Sequence, residues 1–244
     1  MSAARSFQGA HAHLANRPRR ISAKELLGAA LALVLVGLLA ALGLRLVGLV
    51  GTPAALLLAL AGLGLGILLT DFISGLVHWL CDTYGDEQTR LLGPLLIAPF
   101  REHHRYPQRM VERSFVEVNL SNSVGAIAVI ALAWVLEGVR PGPPTPLGQG
   151  FLLGLAGAIY LTNTFHQWAH HPRPPRLARL LQSLHLAIDP RRHARHHAHG
   201  YGAFCITTGW LNPLLDRCEV FPRSERALGS LCGRRPEKRK SVAA

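Results

Sequence analysis

The stretch TPAALLLALAGLGLGILLT, residues 52–70, carries no charged side chain and no alternation of polar with apolar positions. Its length is close to the roughly 20 residues that a helix needs to cross about 30 Å of hydrocarbon. Three further blocks share its character, residues 26–44, 120–136 and 147–165, and none of them holds a charge. A backbone inside lipid must satisfy its own hydrogen bonds, so four such blocks predict an all-α integral membrane protein with four transmembrane helices. Burying all four as core helices of a soluble protein would leave too little polar chain to cover them. The first block follows Arg17, Arg19, Arg20 and Lys24. It is longer than the apolar region of a secretion signal and further spans follow it, so it is expected to stay in the mature protein as an anchor.

Basic residues suggest an orientation. The N-terminal arm, the segment between the second and third blocks (Arg90, Arg101, Arg105, Arg109, Arg113) and everything after the fourth block are rich in arginine. The two remaining connections offer only Arg45 and Arg140. With four crossings, the positive-inside bias predicts both termini and the central loop on the cytoplasmic side. The formal net charge of +12 then faces anionic headgroups. No nucleic-acid reading motif accompanies that charge, so a nucleic-acid partner is not expected. Expected divisions are a basic arm (residues 1–25), a membrane domain (26–216) and a basic tail (217–244). Composition points to a bacterial inner membrane, or to the endoplasmic reticulum if the source is eukaryotic. Cys81, Cys205, Cys218 and Cys232 lack paired metal-ligand spacing and read as ordinary thiols.

Thirteen histidines remain to be explained. His11 and His13 sit in the polar arm and read as solvent-exposed. The others gather on one predicted side of the membrane: His78 after the second block, His103 and His104 in REHHRYP, His166, His170 and His171 in HQWAHH, and His185, His193, His196, His197 and His199 beyond. His166 and His170 are four residues apart, as are His78 and Asp82, so each pair shares a helix face. His193, His196 and His197 repeat the pattern. Helix-end roles suit His171, His199 and, less well, His185. For the remaining group, burying so many imidazoles together without a cation would leave ring nitrogens unsatisfied, so a metal centre is expected. Eight or nine donors exceed what one ion takes and suit two first-row ions. Imidazole does not choose sharply among zinc, copper, iron and nickel. A membrane di-metal oxidoreductase is favoured over a zinc hydrolase, which lacks its HExxH pattern here, and over a metal carrier or zinc transporter, which would need polar groups inside the spans.

The stretches TDFISGLVHWLCDTYG, PFREHHRYP, NTFHQWAHH and LHLAIDPRRHARHHAHGYGAFCITTGWLN resemble the plasmanylethanolamine desaturases, the CarF/Kua-type lipid desaturase family, from about Asp71 to Asp216. The resemblance implies a histidine-ligated diiron centre, molecular oxygen as co-substrate and an external electron donor of the cytochrome b5 or ferredoxin kind. It implies a phospholipid substrate, with the 1-O-alkyl chain of a plasmanyl lipid converted to the vinyl ether of a plasmalogen. An ester-linked acyl chain, or hydroxylation in place of desaturation, is the alternative. Carried onto this chain, it implies metal ligation by His78, His103, His104, His166, His170, His185, His193, His196 and His197, with Asp82 as a ligand or as the orienting partner of one. Arg192 and His199 stand where the motif departs from that of relatives. Arg101 and Arg105 flank the EHH motif as candidate contacts for a lipid headgroup. Small residues in AGLGLG, residues 61–66, would allow close helix approach. Asp71, an acid at the end of an apolar block, is expected to anchor a polar partner such as an arginine or a metal-bound histidine.

Overall fold

A computed structural model describes residues 21–139 and 142–232. The basic arm with His11 and His13, Arg140 and the basic tail from residue 233 lie outside the described residues. The described chain is helical. Two long helices, α1 (Ala23–Leu49) and α2 (Pro53–Thr83), precede a π-helical turn (Gly93–Ile97) and three short helices, α3 (Ala98–Arg105), α4 (Gln108–Glu112) and α5 (Phe115–Val118). Then come α6 (Leu120–Val139), α7 (Pro146–His170), α8 (Arg176–Ser183), α9 (Pro190–His199), α10 (Asn212–Arg217) and α11 (Val220–Cys232).

The helix starts are written in the sequence. Thr52, Thr145 and Asp189 each stand before a proline, and each side chain accepts a backbone N–H of the first turn, from Ala55, Gly148 and Arg192. The cap satisfies a donor that the helix leaves unpaired, and proline at the first position gives up a donor that had no partner. Helix α9 ends at Gly200, whose φ of 67° places it in the left-handed region that glycine enters freely.

Among the described residues, three helices are long and apolar enough to cross a membrane: α1, α2 and α6. The expected fourth span, residues 147–165, is corrected by this finding. Its helix, α7, carries Gln149, Tyr160, Thr162, Asn163 and Thr164, and it is enclosed by α1, α2 and α6. Lacking charge is not the same as facing lipid, and α7 is the interior helix of the bundle. The even number of crossings that put both termini on one side is no longer a premise.

The most extensive pairing joins α2 to α7. Gly62 and Gly66 of α2 lie against the Leu147 and Phe151 carbonyls, and Gly150 and Gly154 of α7 lie against the Ala59 and Leu63 carbonyls. A β-carbon at any of the four would overlap backbone, so only glycine lets these helices come this close. Gly64, on the other face of the AGLGLG run, meets nothing. Thr70 Oγ1 donates across the same seam to the Leu155 carbonyl at 3.1 Å. A core of Leu35, Leu42, Ala126, Ile130, Leu152, Ala156 and Tyr160 joins α1 and α6 to the other side of α7. With its 31 residues, α2 reaches roughly 46 Å at 1.5 Å per residue, well beyond the hydrocarbon thickness, and its polar residues Asp71, His78 and Asp82 all lie towards its C-terminal end.

Candidate metal centre

Four helix segments meet at the end of the bundle where α2 finishes, α6 begins and α7 finishes. The last turn of α2 supplies His78 and Asp82, α3 supplies His103 and His104, the last turn of α7 supplies His166 and His170, and α9 supplies His193, His196 and His197. Their donor atoms fall into two groups, each with all donors within 4.8 Å of one another: His103, His166, His170, His193 and His197 in the first, and His78, Asp82, His104 and His196 in the second.

Helix geometry makes the partition. His193 and His197, one turn apart on α9, face the first group, while His196 turns to the second. Neighbouring His103 and His104 diverge in the same way. In the first group the Nε2 atoms of His170 and His193 are 2.7 Å apart, those of His166 and His193 2.9 Å, and those of His103 and His197 3.0 Å. In the second, Asp82 Oδ2 lies 3.1 Å from His104 Nε2, 3.4 Å from His78 Nε2 and 3.6 Å from His196 Nε2.

The donor chemistry fits a pair of cations. His78 Nδ1 lies 3.0 Å from the Phe204 carbonyl and His196 Nδ1 lies 2.7 Å from the Gly202 carbonyl. A carbonyl only accepts, so each Nδ1 carries the proton and each Nε2 turns a bare lone pair towards the Asp82 carboxylate. Such crowding of lone pairs is repulsive unless a cation lies among them. Carbonyl bonds of this kind fix the tautomer and ring direction of a metal-binding histidine. In the first group, burial and then the neighbouring His170 hold His103 well below the ordinary histidine range. Burial likewise lowers His193, and takes His170 down to about 4 and His197 to about 2. The rings are therefore neutral at physiological pH, the form that ligates metal.

An irregular loop locks the second group in place. Residues 203–209 are buried without regular structure, and a buried loop must find partners for its backbone elsewhere. Asp216 accepts from Ala203 N, Asn212 Oδ1 from Cys205 N, and Ser74 Oγ from Ile206 N. Asp71, fully buried, accepts from Thr208 N at 2.9 Å, Gly209 N at 2.8 Å and Leu211 N at 3.1 Å. The polar partners expected for it are backbone amides, in place of an arginine or a metal-bound histidine. The loop in turn presents the Phe204 and Gly202 carbonyls to His78 and His196.

Other residues singled out in the sequence lie elsewhere. His185 is exposed, stands outside both donor groups and has a left-handed φ of 57°. His199 is exposed, and His171 Nδ1 accepts the Arg173 amide at 3.0 Å. Arg101 donates to the Cys81 and Gly85 carbonyls, closing the C-terminal end of α2. Arg105 pairs with Glu87.

A cavity of about 240 Å³ opens beside the first group. Leu95, Leu96, Phe100 and Val118 give it apolar walls, and it reaches His103 and the buried His166. Arg109 and Arg113, both more than half exposed, also line it. A single water needs only about 10–15 Å³ of such space, so this cavity suits a segment of chain better than one solvent molecule. Reading the sequence around EHH misses both arginines, because their part in the cavity depends on how α4 folds back against α7.

The lipid desaturase domain family matches residues 67–239. The chain is 38% identical over 175 residues to a plasmanylethanolamine desaturase of Myxococcus xanthus, covering 71% of this chain and 62% of that protein. It is 34% identical over 180 residues to plasmanylethanolamine desaturase 1 of Mus musculus, covering 70% and 65%. It is 34% identical over 174 residues to the chloroplastic fatty acid desaturase 4 of Arabidopsis thaliana, covering 70% and 52%. The aligned part thus spans less than two thirds of each of these relatives. No solved structure matches the chain.

Proposed function

Because this chain belongs to the lipid desaturase domain family, we propose that it is an oxygen-dependent lipid desaturase working at two iron ions held by the two donor groups. Its favoured substrate is a plasmanyl phospholipid, whose 1-O-alkyl chain becomes a vinyl ether. The observation that supports this reading is the cavity whose lining runs from apolar side chains to His103 and His166, because a chain segment seated there would lie against the five-histidine group. When bound, iron would supply the oxygen chemistry that removes hydrogen from an unactivated methylene, which zinc does not.

The net change takes two hydrogens from neighbouring carbons. With dioxygen, two electrons from a donor and two protons, it yields the double bond and two waters. The protein's own groups contribute position. The cavity walls hold the chain against the histidines, the Phe204 and Gly202 carbonyls set the direction of two rings, and the buried surroundings keep bulk water from the reacting carbons. No side chain is needed as a general base. Electrons would come from a small acidic carrier of the cytochrome b5 or ferredoxin type, drawn by the basic surface.

The similarity to a chloroplastic fatty acid desaturase favours a second reading, an ester-linked acyl chain as substrate. One experiment separates the two. The iron-loaded protein is supplied with an electron donor and with either an alkyl-acyl or a diacyl phospholipid, and the products are weighed and tested for the acid lability of a vinyl ether. An acid-labile product two mass units lighter, from the alkyl lipid alone, supports the first reading. A gain of one oxygen atom would mark hydroxylation and refute desaturation.

A further inference from the structure

The segment between α2 and α3 leaves apolar side chains uncovered. Leu91, Leu92 and Leu95 are more than half exposed and Leu96 more than a third, with no other part of the described chain over them. Leu95 and Leu96 also line the cavity that ends on His103 and His166, so the exposed face runs without a break into the site. It adjoins the C-terminal end of α2, a helix long and apolar enough to cross a membrane. Bilayer lipid is the occupant that this continuity fits.

The same cavity has a charged side. Glu102 stands between two guanidinium groups, 2.6 Å from Arg109 Nη1 and 3.8 Å from Arg113 Nη2. The Arg109 guanidinium also stacks on Tyr106, 4.4 Å from the ring centre. Glu117, another acid lining the cavity, caps α5 by accepting from Ser114 N and Oγ. Two guanidiniums therefore share one carboxylate at the mouth of an apolar pocket. A carboxylate offers two oxygens to a pair of arginines, and the two free oxygens of a phosphodiester offer the same fork. Gln167, next to His166, donates to the Met110 and Arg113 carbonyls at 2.8 and 3.0 Å. That bond ties the arginine-bearing segment to the helix that carries His166 and His170.

We infer that Arg109 and Arg113 form a phosphodiester subsite, with Glu102 as the internal anion that a lipid phosphate displaces. A phospholipid then enters sideways past Leu95 and Leu96, and its head-proximal chain carbons come to rest against His103 and His166. The inference rests on the lipid reading of the cavity given above, but not on which bond is made there.

Binding tests it without turnover. The full chain in dodecyl maltoside, which carries no phosphate, is titrated with two probes of identical chains, an alkyl-acyl phospholipid and the corresponding phosphate-free glycerol. Both carry a diazirine on the head-proximal part of the alkyl chain, and captured protein is mapped by mass spectrometry. The wild type should bind the phospholipid about tenfold or more tightly over the glycerol, in keeping with a charge-assisted pair. Capture should concentrate at Phe100, Met110 and Val118. The R109Q/R113Q double variant should bring the two probes to near-equal affinity with metal content unchanged, and E102Q should raise the preference for the phospholipid. A double variant that keeps the wild-type preference, an E102Q variant that lowers it, or capture spread evenly over the lipid-facing surface would overturn the subsite. If the wild type binds as stated but forms no double bond in any lipid, the desaturase reading fails and the subsite stands. If it forms the double bond while R109Q/R113Q keeps its preference, the reverse holds.

Discussion

Asp71→Asn is a sharp perturbation because it removes one charge and changes one atom. In the wild type the carboxylate is fully buried; Oδ1 accepts from Thr208 N and Gly209 N, and Oδ2 accepts from Leu211 N. A hydrogen bond to a charged group contributes about 1.5–3 kcal/mol. Asparagine keeps one acceptor oxygen for Thr208 and Gly209, now uncharged, and turns an NH2 group towards the Leu211 amide. One bond is lost, a donor faces a donor, and two bonds weaken, for a destabilisation of about 3–5 kcal/mol. The loop that shifts carries the Phe204 carbonyl, which orients His78. Losing such a partner typically weakens metal binding by about 10–100-fold. Thermal unfolding in micelles and metal content by elemental mass spectrometry read both effects. Asp71→Asn should melt lower and lose metal first from the group containing His78, and Asp71→Ala should do worse. An Asp71→Asn protein with wild-type melting and full metal content would refute the chain of reasoning from this carboxylate to the ring.

Replacing His193 by Ala should strip metal from the five-histidine group, whereas His185→Ala should leave metal content at the wild-type level; equal losses would contradict the partition of donors. Gly66→Leu should lower the melting temperature sharply, since overpacking a tight interface costs about 1–3 kcal/mol even where neighbours can yield, and here the obstacle is the Phe151 backbone. Gly64→Leu, facing open space, should melt like the wild type. For the metal-free protein, burial lowers the folded-state pKa of His103, His193 and His170, the last to about 4. The unfolded chain therefore takes up protons from about pH 6.5 downward that the folded chain refuses. Stability should be full above pH 7 and should fall continuously as the pH drops towards 4; a melting temperature flat between pH 7.5 and 5 would show that these rings are not held neutral by burial.

Much of the candidate site can be read from spacing alone, because the donor residues lie on short helices and helix ends where positions four apart must share a face. His166 with His170, and His78 with Asp82, are legible for that reason. The division into two groups is not. His103 and His104, like His196 and His197, are neighbours in sequence that point to different groups, and only the packing of α3 and α9 against α2 and α7 decides which goes where. The absence of charge in residues 147–165 suggested a lipid-facing helix. Gln149, Thr162, Asn163 and Thr164 carried the opposite message, since Thr162, Asn163 and Thr164 bond to Thr207, Val118 and Asn119 inside the protein. Asp71 was legible as a residue in need of a partner, but amides of a loop more than a hundred residues away leave no local mark. A shorter but still non-local separation hides Arg109 and Arg113, which line the cavity where Gln167, more than fifty residues on, bonds the α4 segment to α7.

Each of the two separate donor groups is proposed to hold one transition-metal ion. The most direct test is the metal-to-chain ratio of protein purified from iron-replete cells, followed through removal by a chelator. Two ions per chain are expected, with His170→Ala and His104→Ala each reducing the ratio by depleting a different group. A folded, active protein that holds one ion or none, or whose ratio is unchanged by both substitutions, would contradict it.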